Sequence, residues 1–167
     1  KYSPAGRLPV TFYQSLNDLP DYKDYSMKNR TYRYFNGKAA YPFGFGLSYT
    51  SFDYAWKQAP AAAYRLNDTI RIAVDVKNTG TYDGDEVLQA YITYPDMERM
   101  PLKELKAFKR IFIKKGNTTT VQLAIPVAEL QKWDMQQHKW KLYRGTYGIN
   151  IGPGSTEFRL TKQVSVR

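Results

Sequence analysis

The clearest order in this chain is an alternation of apolar and polar positions. Phe52, Tyr54 and Trp56 alternate with Ser51, Asp53 and Ala55, and Ile70, Ile72, Val74 and Val76 alternate with Arg71, Ala73, Asp75 and Lys77. A period of two is that of a strand with one buried face. Val121, Leu123 and Ile125 repeat the pattern, as do Tyr147, Ile149 and Ile151, and residues 158–166 read as a closing strand. Val87 to Tyr94 is also rich in strand formers, but both of its faces are partly apolar. Asn78-Thr79-Gly80, Asp83-Gly84 and Lys115-Gly116-Asn117 are turn signals between these runs. Six or seven short strands punctuated in this way predict an all-β sandwich, with Ile72, Val74, Leu123 and Ile149 in its core.

The sandwich is of the immunoglobulin or fibronectin type III kind, to which short strands and regular turns point. Two stretches do not follow the alternation. Leu102, Leu105, Phe108 and Phe112 have helical spacing with lysines opposite, yet Arg110 to Ile113 is strand-like, so periodicity leaves helix and strand open there. Val127 to Gln131, after Pro126, predicts one helical turn. Residues 1–48 have no sustained period. They hold eleven aromatic residues together with Pro4, Pro9, Pro20 and Pro42, which is too aromatic for a disordered linker. Such a leader must bury its rings, either on the sandwich or on a domain outside this chain. The predicted organisation is therefore an irregular aromatic-rich extension, residues 1–48, and a sandwich, residues 49–167.

The 167 residues contain no cysteine and one histidine, His138. Disulfides, thiolate metal sites, cysteine nucleophiles and multi-histidine zinc sites are excluded. His138 lies in a polar stretch and reads as a surface loop residue. No run approaches the ~20 apolar residues of a membrane span. No apolar segment of the secretory type opens the sequence. The formal charge is +10, but it is spread: +4 over residues 1–48 and +6 over the rest. Lys103, Lys106, Lys109, Arg110, Lys114 and Lys115 form the densest basic cluster, read as a solvated strand face rather than a phosphate site, and no nucleic-acid-binding motif accompanies it. Asp83, Asp85 and Glu86 surround Gly84, too sparse for a calcium loop and read as a solvated turn. Asp21 and Asp24 do not by themselves make a catalytic pair. Gly44-Phe45-Gly46 lacks the third glycine of a dinucleotide fingerprint and reads as a tight turn. Asn29, Asn67 and Asn117 head glycosylation sequons.

Particular residues carry a family resemblance. Pro4-Ala5-Gly6-Arg7-Leu8-Pro9-Val10-Thr11-Phe12 resembles the end of the second domain of glycoside hydrolase family 3. Tyr25-Ser26-Met27 and Arg30-Thr31-Tyr32-Arg33-Tyr34 resemble the linker that follows, with wording closer to β-xylosidase-like members than to typical β-glucosidases. Tyr41-Pro42-Phe43-Gly44-Phe45-Gly46-Leu47-Ser48-Tyr49-Thr50 is similar to the signature that opens the family's C-terminal fibronectin-III-like domain. Asn78-Thr79-Gly80, Asp83-Gly84, Glu86-Val87 with Gln89 and Tyr91, Lys103 through Arg110, Trp133-Asp134 and Gly145-Thr146-Tyr147 continue the match in order. The resemblance assigns the ambiguous stretch around Leu105 to strands.

The resemblance implies a retaining β-glycosidase parent, a β-xylosidase or β-glucosidase, whose nucleophile and acid/base are two carboxyl groups ~5–5.5 Å apart. Both belong to domains upstream of the matched region, so no catalytic residue, metal or cofactor is assigned in this chain. The implied partners are the upstream catalytic domains of the same polypeptide and the parent's oligosaccharide substrate, not nucleic acid or a membrane. The implied location is periplasmic or secreted. Tyr32, Arg33, Tyr34, Tyr41, Phe43 and Phe45 are the candidate contact residues, either a sugar-stacking lip or an interdomain packing seam. An independent carbohydrate-binding module, with exposed coplanar aromatics on one sheet face, and a basic nucleic-acid binder are the rival readings. Two further expectations concern the leader: Tyr41, Phe43, Phe45 and Tyr49 turn back onto the sandwich and are buried, and Leu8–Phe12 is a strand lacking its sheet.

Overall fold

The computed structural model describes residues 2–97 and 99–167. Two sheets face each other. One has three strands: β3 (Phe52–Gln58), β5 (Thr69–Asn78) and β8 (Thr118–Pro126), in the order β3-β5-β8. The other has five: β4 (Ala63–Tyr64), β6 (Gly84–Thr93), β7 (Glu104–Ile113), β11 (Gly145–Gly152) and β12 (Leu160–Val166), in the order β4-β12-β11-β6-β7. All pairings are antiparallel except the short β4–β12 contact. Two small ribbons stand outside the sandwich. One joins β1 (Phe12–Tyr13) to β2 (Ala39–Tyr41), and the other joins β9 (Lys132–Asp134) to β10 (Lys139–Lys141).

The predicted alternation sets the register. Ile70, Ile72 and Val74 of β5 lie opposite Ile125, Leu123 and Val121 of β8, and Ile92 of β6 lies opposite Ile149 of β11. All eight belong to one buried cluster, together with Leu88, Ala90, Leu130 and Val164. Each such side chain contributes on the order of 1.5–3 kcal/mol when fully buried. The predicted turn after Pro126 is a 3-10 turn, Val127–Leu130, whose two end residues enter the core. The ambiguous stretch is strand β7. Its mixed spacing has a physical cause: β7 is an edge strand, and Phe108 and Phe112 project into solvent beside its charges.

Asn78, at the end of β5, is fully buried. Its amide donates to the carbonyls of Tyr82 (2.8 Å) and Ile113 (2.9 Å), while its Oδ1 accepts from the Thr50 hydroxyl (2.6 Å) and the Gly80 amide (3.1 Å). This satisfied side chain ties the Asn78-Thr79-Gly80 turn to both sheets.

Candidate functional site

The residues of β6 explain why its sequence is apolar on both faces. Leu88, Ala90 and Ile92 enter the core, while Gln89 and Tyr91 meet the leader. Gln89 donates through Nε2 to the carbonyls of Gly44 (3.3 Å) and Pro153, and accepts the Tyr91 hydroxyl proton at 2.6 Å. Gly44 has φ +80°, and a Cβ there would lie 2.5 Å from the Gln89 amide oxygen and 2.8 Å from the Tyr91 hydroxyl. Only glycine provides both the left-handed turn and the close approach.

Around this contact the rings of the leader divide into three groups. Tyr32 stacks on Phe43, with centroids 4.1 Å apart and planes 17° apart. It meets the edge of Tyr91, which in turn touches Phe158. The Tyr32 hydroxyl accepts the Leu105 amide of β7 at 3.0 Å, which ties the ring to the edge strand. Tyr41 and Phe45 form a second group with Phe12. Arg33 belongs to a third, with its guanidinium 3.6 Å from Glu104, and the Glu104 charge also acts on Tyr34. Of the six candidate residues, Tyr32, Arg33 and Phe43 line one pocket of about 530 Å³, and Tyr34, Tyr41 and Phe45 are not part of its lining. Thr31, at the start of the short helix α1 (Thr31–Tyr34), has φ +54°, a sparsely populated conformation for a β-branched residue. The Tyr13 hydroxyl accepts its amide at 2.8 Å, and the Tyr13–Phe35 ring contact supports the turn.

Two expectations for the leader are corrected. Phe43 and Phe45 are partly buried, but Tyr41 is 52% exposed and Tyr49 65% exposed, since Phe43 stacks on Tyr32 and Tyr49 has no ring partner among the described residues. Leu8–Phe12 is not without a sheet partner. Leu8 donates to the Phe45 carbonyl (2.9 Å) and accepts from the Gly44 amide (2.8 Å), and Phe12 pairs with Tyr41. The reversal at Thr31 returns residues 39–45 to lie against residues 8–13, which supplies the missing partner from within the chain.

Glu104 is the site that sequence reasoning missed. Its buried carboxylate accepts from Tyr94 at 2.5 Å and from Lys132, with Lys106 at 3.1 Å and Arg33 beyond. Burial alone would raise its pKa. The hydrogen bonds from Lys132 and Tyr94 and the charges of Lys132 and Lys106 outweigh burial and hold it at about 2. One carboxylate thus joins the leader, β7, β9 and the end of β6. Its only trace in the sequence is an acid set between lysines.

The carboxylates of the acidic turn are each engaged by donors of the protein. The Asp83 carboxylate accepts the Lys115 amide (2.8 Å), Asp85 is held by Arg110 (2.9 Å) and the Tyr2 hydroxyl, and Glu86 by Arg7 (2.8 Å). The Asp85 carboxyl is lowered by its hydrogen bond from Arg110, against the opposing effect of burial. Among the described residues no group of three or more His, Cys, Asp or Glu could hold a metal ion. Trp133 and Trp140, paired across the β9–β10 ribbon, are exposed, but their planes cross at 76° and offer no flat platform.

Two family models match the chain. The glycosyl hydrolase family 3 C-terminal domain matches residues 1–49, and the fibronectin type III-like domain matches residues 86–155. A xylan 1,4-beta-xylosidase from Xylanibacter ruminicola is 42% identical over 161 residues, covering 96% of this chain and 18% of the relative. A periplasmic beta-glucosidase from Salmonella typhimurium is 33% identical, covering 95% of this chain and 22% of the relative. The chain therefore spans about a fifth of the length of these curated relatives. Among solved structures, a β-D-glucoside glucohydrolase from Trichoderma reesei aligns with a TM-score of 0.82 and 31% identity, covering 99% of this chain and 27% of that one. A β-glucosidase from Kluyveromyces marxianus in complex with glucose gives a TM-score of 0.87 with 28% identity, covering 99% and 22%. The two-sheet sandwich, the leader packed on its five-stranded sheet and these matches agree: the chain belongs to the C-terminal region of glycoside hydrolase family 3, with a fibronectin type III-like fold.

Proposed function

We propose that this chain works within a longer β-glycosidase polypeptide, where residues 49–167 form a brace and residues 1–48 join it to catalytic domains that act on plant-type oligosaccharides. The observation that carries this reading is the outer face of the leader. Leu16, Tyr22, Tyr25 and Tyr41 expose their apolar side chains there, with Tyr25 94% exposed. A run of this kind rimmed by charges is an interaction surface. The neighbour it fits is the remaining four-fifths of a polypeptide the size of the curated relatives. Tyr32 and Phe43 act as the seam between leader and sandwich, and Arg33, Tyr34, Tyr41 and Phe45 lie toward the neighbouring domains. The xylosidase relative and the Arg30–Tyr34 wording favour xylosides over glucosides as the parent substrate. The periplasmic relative supports a periplasmic or secreted location.

The test is hydrolysis of aryl β-xylosides and β-glucosides. The 167-residue chain is expected to be inactive and the longer polypeptide active, with the xyloside preferred. Turnover by the 167-residue chain that disappears on mutating one of its own carboxylates would overturn the proposal.

A further inference from the structure

A pocket of about 530 Å³ opens where the start of the leader meets the turn between β5 and β6, lined by Tyr2, Ser3, Tyr49, Tyr82 and Asp83. The three tyrosines come from segments far apart in sequence and are 69%, 65% and 62% exposed. Each is anchored by a hydrogen bond. The Tyr2 hydroxyl donates to Asp85 at 2.5 Å and accepts from Arg110 at 2.5 Å. The Tyr49 amide donates to the Ser3 hydroxyl (3.1 Å), which also meets the Ser48 hydroxyl (3.2 Å). The Tyr82 carbonyl accepts from the buried Asn78 amide (2.8 Å). A Cβ at Gly84 would lie 2.9 Å from the Thr50 side chain and 3.4 Å from that of Ser3, so the turn carrying Tyr82 and Asp83 closes directly onto Ser3 and Thr50. The recognition groups themselves stay unused. Among the described residues no hydrogen bond or ring contact engages the side chain of Tyr49 or Tyr82. One Asp83 oxygen accepts the Lys115 amide (2.8 Å), and the other has no donor.

The lining therefore offers aromatic faces, phenol and carboxylate oxygens, no aliphatic side chain and no cation. A tyrosine ring is apolar on its face and polar at its tip. A carboxylate oxygen accepts from hydroxyl groups, and a phenol both donates and accepts. A neutral sugar is the complement of this set: the C–H face of its ring lies on an aromatic face, and its hydroxyls meet the oxygens. The Asp83 charge repels an acidic ligand. A single organic cation would need the rings gathered within about 6 Å of one point. These three make no ring contact with one another among the described residues, and they line a pocket of the size that takes whole small molecules, about 300–1,000 Å³.

We propose that this pocket binds a neutral oligosaccharide, with Tyr49 and Tyr82 stacking on sugar rings, Tyr2 bounding the groove and the free Asp83 oxygen accepting a sugar hydroxyl. The class of ligand stands on the lining of the pocket. Only the choice of a xylose oligomer as first probe rests on the function proposed above, so failed glycoside hydrolysis by the longer polypeptide would leave this site standing.

The test is an amide-resolved NMR titration of the 167-residue chain with xylotriose and cellotriose, and with choline and D-glucuronate as charged controls. Saturable shifts at Ser3, Tyr49, Tyr82 and Asp83 are expected with at least one of the two neutral sugars and with neither control. Tyr49→Ala and Tyr82→Ala should each weaken binding at least about fivefold, while Trp140→Ala, at an exposed ring elsewhere, leaves it unchanged. Should either tyrosine variant not fold, intermolecular contacts between sugar C–H protons and the Tyr49 and Tyr82 ring protons of the unmodified chain give the same reading. In the longer polypeptide, nitration of Tyr49 and Tyr82 should proceed without sugar and be slowed by the sugar that binds the short chain. No saturable shift with either neutral sugar, equal shifts with choline or glucuronate, or binding indifferent to both tyrosines would each overturn the proposal. So would rings that resist nitration in the longer polypeptide without sugar, because the pocket would then be covered by protein.

Discussion

The sandwich and the leader share one chain and hold themselves together in different ways. The core cluster contains no residue before Phe52, and its side chains are sealed by two sheets in ladder register. The leader has four ring-to-ring contacts of its own, one two-stranded ribbon and a glycine turn pressed on Gln89, yet half of the exposed large apolar side chains of the molecule lie in its 48 residues. A β-sandwich needs nothing beyond its own two faces. The leader is anchored on the sheet through Gln89 and Tyr91 and keeps many of its apolar side chains exposed, which the proposed joining role would use.

The contrast can be broken most severely in the core. Ile149→Ala, between the sheets, should cost about 2–5 kcal/mol, read as a lower urea midpoint for the whole chain. Next is Gly44→Ala, which forces a side chain into Gln89 and a left-handed φ. It should cost about 1–3 kcal/mol at the leader–sheet contact and be visible as loss of the Tyr32 and Tyr91 ring-current shifts. Glu104→Gln follows at about 1–2 kcal/mol, because the amide oxygen can still accept from Tyr94 and Lys132 while the largely buried lysines lose their counter-charge. It also has a pH signature. The carboxyl sits at about 2 in the folded chain and near 4.3 in the unfolded one, so its contribution is complete above about pH 5 and is lost as pH falls toward 2. Stability measured from pH 6 to pH 2 should fall less steeply in Glu104→Gln than in the unmodified chain. Least of all is Tyr25→Ser on the outer face, within about 0.5 kcal/mol in this chain. In the longer polypeptide the same change should lower the melting temperature measurably.

Much of this contrast is visible in the sequence. The alternation in β5, β8 and β11 is legible because each strand has one wet face and one dry face, and the positions expected in the core, Ile72, Val74, Leu123 and Ile149, are all there. Strand β6 carried a signal that periodicity alone does not decode. Gln89 and Tyr91 are buried on its second face only because Gly44 and Tyr32 cover them. The leader is the least legible part, since its order comes from contacts distant in sequence, from Phe12 on Tyr41 and Leu8 on Phe45 to Tyr32 on Leu105. Tyr41 and Tyr49 show the limit: an aromatic residue beside a glycine turn gives no sign of which side of the turn its ring takes. Glu104 and Lys103 are adjacent charges in the sequence, yet among the described residues one has several charged partners and the other meets the Phe158 ring, a difference that the packing of Tyr94, Lys132 and Phe158 creates.

Hydrogen exchange, measured segment by segment in the 167-residue chain and in the longer polypeptide, tests the central claim most directly. In the 167-residue chain, residues 15–29 should exchange at least about a hundredfold faster than Ile70–Val76, whose opening requires global unfolding. In the longer polypeptide, residues 15–29 and the Phe12–Tyr13 ribbon should slow by at least about tenfold as the outer face of the leader is covered, while Ile70–Val76 stays as it was. Equal exchange of residues 15–29 in the two proteins would contradict the account, because the exposed face of the leader would then have no neighbour to meet.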